Sequence, residues 1–419
     1  MLRPALLLMA ALLVPIAKPA RAQLGPDAGE RLMQDAVVRA ALQAARDDEP
    51  QTLADQVRLC EIPAPPFREG ERARAYADAL RASGLRNVRL DREGNVLGER
   101  PGQAARPRLV FSAHLDTIFP EGTNVKVTRD GSILRGPGIA DDCRGLAVVL
   151  AVIRALDRAN IQTPGSITFV GTVGEEGLGD LRGIRTLFRE TLSGQIDRFV
   201  SVDGAGITMT HIGVGSQRYR VTFKGPGGHS YGAFGIANPI HALGRAIDAI
   251  AEFQVPREPR TTFSVGRVGG GTSVNAIASE AWMEVDLRSQ DPASLQTLAA
   301  NVQKAIDRAL DQENERWGQN GRLAVEKLLV GERPIGRTPE DSPLVLTAIS
   351  VTRALRLPVS LREGSTDANI PMSLRIPAIT IEGGGSSTGG HALNEAFDST
   401  DSWRGTQRAT LLAIALAQR

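Results

Sequence analysis

Two adjacent glutamates, Glu175 and Glu176, stand directly after the apolar run 166–170 (SITFV), inside the segment GTVGEEG. The run reads as a buried strand, and the glycines turn the chain sharply at its end. Carboxylates paired at a strand terminus divide labour well, one binding a cation and the other handling a proton. Histidine and aspartate recur in the same strand-end setting elsewhere in the chain. The pattern points to a metal-dependent hydrolase.

Hydrophobic residues make up 42% of 419 residues, enough for a large core and more than one domain. Residues 1–22 are read separately. Arg3 precedes the apolar run 5–17, and Ala20-Arg21-Ala22 has the small-x-small form of a signal-peptidase site. The run is short for a bilayer, so a cleaved secretory signal is expected, with an uncleaved anchor as the alternative. Loss of Arg3, Lys18 and Arg21 takes the formal charge from +2 to about −1. No basic block interleaved with aromatics remains, so no nucleic-acid partner is expected. A soluble, periplasmic or secreted protein without stable membrane association is the expectation. Cys60 and Cys143 are the only cysteines. An oxidising compartment permits a bond between them, and any metal site must draw on His, Asp and Glu.

Strands alternating with helices from about 70 to 202 imply an α/β domain with a mainly parallel sheet. The helices are expected at 70–82 and 145–156, and the strands at 109–113, 166–172 and 198–202. The character changes near Gly213. An alternating strand at 218–224, a helix at 238–253, strands at 261–268 and 281–288, a helix at 292–314 and a closing strand near 323–330 form a two-layer insert. The α/β pattern then returns, with a strand at 378–381 and a helix from 406. The expected division is 1–22 signal, 23–213 and 331–419 the two parts of the catalytic domain, and 214–330 an inserted lid. The Gly/Ser-rich stretch 383–390 is read as a site loop.

His114 and Asp116 follow the strand at 109–113, where a carboxylate can orient an imidazole and raise its basicity. GPGIADD (136–142) places Asp141 and Asp142 at the start of a helix. Asp141 is suited to bridge two cations, and either aspartate is equally suited to cap that helix. Asp203 ends the strand at 198–202, and His391 follows the glycine loop. With Asp141 shared, His114, Asp141, Glu176, Asp203 and His391 supply three ligands to each of two cations. Such a pair activates water and polarises a carbonyl.

The motifs AHLDT (113–117), GPGIADD, GEEGLGDLRG (174–183), VDG (202–204), GPGGHS (225–230), STDAN (365–369) and HALNEAF (391–397) resemble, in order and wording, the dizinc metallopeptidases. That family includes peptidase T, carboxypeptidase G, succinyl-diaminopimelate desuccinylase and aminoacylase, and the wording is peptidase T-like. The resemblance implies a ferredoxin-like (α+β) lid on an α/β catalytic domain, two Zn2+ ions, and a bridging water activated by Glu175. It assigns His114 and Asp203 to one zinc, Glu176 and His391 to the other, and Asp141 to both. Asp116 becomes the partner of His114. His229 becomes the lid histidine that stabilises the oxyanion, often from a neighbouring subunit of a homodimer, and Asn275 and Arg288 become substrate-binding groups.

Co2+ and Mn2+ suit the same donors. Relatives with Asp at the Asp203 position tend to act on peptides with a free amino end, which implies an exopeptidase for short peptides. An N-acyl amino acid amidohydrolase is the nearest alternative, and a non-catalytic binding protein is a more distant one. Cys143 and Arg144 depart from the family's usual lysine and glycine. His211 and His241 fall outside the motifs and are read as structural.

Overall fold

The computed structural model describes residues 24–318 and 320–418; the expected signal, 1–22, lies outside them. Among the described residues no helix is long and apolar enough to cross a membrane. The main sheet runs, in spatial order, Arg86–Leu90, Val96–Arg100, Ser166–Thr172, Arg108–His114, Arg198–Val202, Ala378–Ile381, Met209–Gly213 and Gly336–Arg337, with Leu361–Gly364 also on Met209–Gly213. The four strands from Ser166–Thr172 to Ala378–Ile381 are mutually parallel. Their sequences are almost uninterruptedly apolar because both faces are covered. Leu146, Val149 and Ile153 of the helix Cys143–Arg158, with Leu411 and Leu412 of Trp403–Leu416, pack on Phe111 and Phe169. On the opposite face Ile184, Leu187, Phe188 and Met372 pack against Phe199.

Register decides where the chemistry gathers. His114 pairs with Thr172, Ser112 with Ser201, and Ile381 with Val202. The carboxyl ends of all four strands therefore lie along one edge, and the residues that follow them collect there.

Three helices, Ala28–Met33, Ala36–Asp47 and Glu49–Cys60, precede the main sheet. Asp35 caps the second through Val37 N–H, and Pro50 sits in the first turn of the third, where its missing N–H has no bond to lose.

The insert is βαββαβ. Its strands Gly215–Lys224, Thr261–Gly270, Glu280–Ser289 and Ala324–Arg333 form one antiparallel sheet, and the helices Pro239–Ala251 and Pro292–Trp317 cover one face. The spatial order, fourth, first, third, second, is that of a ferredoxin-like unit. In Glu280–Ser289 the alternating Ala281, Met283, Val285 and Leu287 are buried under the helices. Asp286 and Arg288 consequently share the other face. The last strand continues past residue 330 to Arg333, through an irregularity between Leu329 and Gly331.

A further small sheet, Ser386–Thr388, Ala396–Asp398, Ile133–Arg135 and Thr128–Asp130, has no sequence signal because its strands are three residues long. It turns part of the glycine stretch, expected to be all loop, into a strand. It also sets the His391 turn beside the 136–142 loop. Cys60 and Cys143 are free thiols, buried in one apolar cluster with Ile139 and Phe397.

Candidate metal centre

His114, at the end of its strand, is buried, and its Nδ1 donates to the Asp116 carbonyl at 3.0 Å. That bond turns Nε2 toward the carboxylates, 2.9 Å from Asp141 Oδ1 and 3.9 Å from Asp203 Oδ1. On the other side of Asp141, His391 Nε2 lies 3.2 Å from Asp141 Oδ2 and 3.0 Å from Glu176 Oε1. Three groups result, His114–Asp141–Asp203, Asp141–Glu176–His391 and His114–Glu175–Glu176, each with its donor atoms within 4.8 Å of one another. The five residues read from the strand ends as ligands are thus brought together, with Asp141 common to the first two groups. His391 holds φ 64, a backbone state few L-residues adopt, at the point where its ring joins the cluster.

The loops are tied from beneath. Asp116 accepts Glu175 N–H at 3.0 Å on one oxygen and Glu176 N–H at 2.7 Å on the other. Its carboxylate stands 3.7 Å from His114 Nδ1. Asp142, not Asp141, caps the helix Cys143–Arg158, accepting Gly145 N–H at 3.0 Å, and it also accepts His114 N–H at 3.0 Å. A Cβ on residue 145 would lie 2.2 Å from that carboxylate and 2.4 Å from the Val202 carbonyl, so only glycine fits. Glu395 accepts the N–H groups of Gly138, Ala140 and Asp141 at 3.2, 2.8 and 3.1 Å. Arg144, where the family usually differs, is fully buried and binds Glu49 at 2.9 Å and the carbonyls of Gly383 and Ser402, both at 2.9 Å.

The charges are unbalanced. Burial, then Asp141, raises Asp203 well above the usual carboxylate range, and burial pushes Glu176 up to about 7. Hydrogen bonds to Asp141 and Glu176 push His391 up to about 11. Burial opposes a charge on His114, but its bonds to Asp116 and Asp141 carry it well above its ordinary value. Burial opposes a charge on Asp141 too, and its bonds to the two imidazoles hold it below the usual range. Two imidazoles and three carboxylates crowded in this way form a donor set that fits divalent cations.

Glu175 is buried beside them. Its Oε1 accepts from Arg333 Nη1 at 2.8 Å, and Arg333 Nη2 also donates to the Glu175 carbonyl. Both residues line a cavity of about 240 Å³ with Asp141, Glu176, Asp203 and His391. Arg288 lines it too, from the uncovered face of the insert sheet. Its Nε donates to Asp286 at 2.6 Å, and Arg218 Nε donates to the other oxygen of Asp286 at 2.9 Å.

His229 and Asn275 are not among the lining residues. They sit together on an exposed part of the insert, where the short strand Gly228–His229 pairs with Ala276–Ile277 and Ser230 N–H donates to the Asn275 carbonyl at 2.9 Å. His211 donates from Nδ1 to the Thr338 carbonyl at 3.0 Å, and His241 is exposed near Glu313. Sequence reasoning does not single out Arg333, Arg218 or Glu395. Glu395 lies inside HALNEAF, where its position was the available signal, while Arg333 carries no local motif.

The sequence pattern of peptidase family M20/M25/M40 matches residues 110–415. The chain belongs to this family. Among similar proteins, the uncharacterized protein YqjE of Bacillus subtilis (strain 168) is 26% identical over 300 residues, 69% of this chain and 76% of its own. A succinyl-diaminopimelate desuccinylase of Nitrosospira multiformis is 28% identical over 259 residues, 57% of this chain and 67% of its own. The solved structure of aminopeptidase PepT from Bacillus cereus superposes with a TM-score of 0.67 at 20% identity, covering 88% of this chain and 98% of that one. That last likeness is one of fold. As a member of the M20/M25/M40 family the protein is a metallo-hydrolase of amide or peptide bonds.

Proposed function

We propose that this hydrolase is an exported exopeptidase, periplasmic or secreted, that cleaves short peptides with two zinc ions held by the Asp141-sharing groups. The single observation that carries the reading is that two three-donor groups meet at Asp141 with Glu175 beside them. When bound, such a cation pair supplies Lewis acidity toward the scissile carbonyl and makes water more acidic.

The chain's own residues do the rest. Glu175 takes a proton from the attacking water and passes it to the departing amine nitrogen as the C–N bond breaks. Arg333 keeps the Glu175 carboxylate at the cavity wall, and Arg288 offers its Nη groups to a substrate carboxylate. Asp116 fixes the His114 ring and the Glu175-Glu176 turn with one side chain.

His229 acts from a second copy in this reading. Its Nδ1 accepts Tyr231 N–H and Gly232 N–H at 3.2 and 3.3 Å, so Nε2 carries the proton and is the donor left to stabilise an oxyanion. Tyr231, Phe234 and Val274 are exposed around it, an apolar rim suited to a homodimer through the insert. The desuccinylase relative supports the second reading, an N-acyl amino acid amidohydrolase with the same centre.

The test is a hydrolysis panel of free peptides, N-blocked peptides and N-acyl amino acids, run on stripped and zinc-reloaded protein. Zinc-dependent cleavage of free peptides is the expected result. Turnover confined to acylated substrates moves the assignment to amidohydrolase, and no zinc-dependent turnover sinks both.

A further inference from the structure

The carboxylates of the site cavity are almost all committed. Glu382 accepts Thr208 N–H at 2.7 Å and pairs with Arg362, and Glu175 pairs with Arg333. Asp141, Glu176 and Asp203 belong to the metal groups. Glu363 is the exception. It lines the same cavity, is half-buried, and has no hydrogen-bond or ion-pair partner among the described residues.

Arg362 and Glu363 both line the cavity, from the short strand Leu361–Gly364. That strand pairs with Met209–Gly213, whose register slips by one residue at His211, between the partners of Arg362 and Glu363. The neighbouring wall offers acceptors rather than apolar surface. Ser365, Thr208, Thr210, Thr366 and Thr380 line it, and the buried Thr208 Oγ1 has no partner.

The insert presents the opposite charge. Arg218 and Arg288 share the single carboxylate of Asp286, and Arg288 uses only its Nε there, leaving both Nη groups for another acceptor. An unpaired anion on the main domain and an unspent guanidinium on the insert match a zwitterion.

We propose that Glu363 is a specificity-determining residue that binds a substrate ammonium group while Arg288 receives the substrate carboxylate. The preferred substrates are then short peptides with a free ammonium group, and N-acylated ones are poor. The inference rests on the exopeptidase reading and narrows it. No change in bonding is involved, since the contact is a charge-assisted hydrogen bond from N–H to carboxylate.

The test compares zinc-loaded wild type with Glu363→Gln on three arms: a free alanyl dipeptide, its N-acetyl form, and an N-acetyl dipeptide carrying a lysine side chain. Affinity for the free and N-acetyl ketomethylene isosteres of the alanyl dipeptide is measured in parallel, so binding is read without turnover. Wild type is expected to favour the free dipeptide. Glu363→Gln is expected to lower that preference about ten- to hundredfold, mainly through KM and equally in isostere affinity. Glu363→Lys is expected to invert it toward N-succinyl substrates. A preference for the lysine arm over N-acetyl-alanyl that vanishes in Glu363→Gln assigns the ammonium to a side chain instead of the peptide terminus.

Equal selectivity in wild type and Glu363→Gln, or a wild type that favours the N-acetyl form, overturns the role of Glu363. Absence of all hydrolysis sinks the exopeptidase reading instead, and the isostere affinities then decide Glu363 alone.

Discussion

Glu395 Oε1 accepts the backbone N–H of Asp141 at 3.1 Å, across 254 positions of sequence. With Gly138 and Ala140 bound to the same carboxylate, the loop that carries Asp141, common to two of the candidate metal groups, is fixed by one buried side chain. Glu395→Gln replaces an acceptor oxygen with a donor facing N–H groups. Zinc affinity, read by competition with a chromophoric chelator, is expected to fall about 10- to 100-fold. Activity should return at high zinc, and unchanged affinity would remove Glu395 from the metal site's support.

Glu175→Gln keeps the shape of the residue next to Arg333 and removes its basicity. The rate constant for hydrolysis is expected to drop roughly 100- to 10,000-fold. Metal content, measured by atomic emission on the same sample, should stay that of wild type. A loss of metal alongside activity would mean that Glu175 is a ligand.

Asp367 lies behind the centre, bonded to Thr172 Oγ1 at 2.5 Å, and burial pushes its carboxyl up to about 7 from an ordinary 3.8. The folded state therefore holds a proton that the unfolded state releases. Its contribution to stability is complete below pH 3.8 and is lost as pH rises through about 7. Asp367→Asn removes the dependence. In metal-free protein, denaturant midpoints of the variant should decline less between pH 4 and 8, by an amount on the order of a few kcal/mol. Parallel pH curves for the two proteins would contradict the raised value.

Arg144 and Glu49 form a buried pair at 2.9 Å that joins the metal-loop helix to the N-terminal helices. Arg144→Met strands a carboxylate in the core and should cost about 3–5 kcal/mol in urea unfolding. Adding Glu49→Gln should restore part of that loss. A double variant no more stable than the single one would show that the arginine's carbonyl contacts, not its charge, matter.

Partner-supplied His229 makes a distinctive prediction. Glu175→Gln and His229→Ala homodimers should each be nearly inactive. Co-refolded in equal amounts, half the dimers are mixed and each mixed dimer keeps one intact site, so about a quarter of wild-type activity should return. No recovery in a verified mixed dimer would place His229 in its own subunit's chemistry.

The residues of the candidate metal groups were legible because each is written locally. His114, Asp141, Glu176 and Asp203 each lie within a few residues of a strand or helix end that hydrophobic pattern marks. The strands and helices of the insert were legible from alternation and from long amphipathic helices, while the last strand runs on to Arg333 through the irregularity between Leu329 and Gly331 that breaks that alternation. The supporting residues were not. Arg333 meets Glu175 across 158 positions, and Glu395 meets Asp141 across more. No short-range period encodes such a meeting. Glu363 is hidden differently, since its four-residue strand is too short to carry a period that would mark it as cavity-lining.

The insert enters and leaves the main sheet through two adjacent strands, with Gly336 directly opposite Gly213. A body hung from a two-strand stem is a lever, and Arg333, three residues before Gly336, lies at its fulcrum. Any swing of the insert that shifts Arg333 either drags the Glu175 side chain along or breaks their pair. In the proposed reaction, closing on a substrate and positioning Glu175 would then share the same pivot.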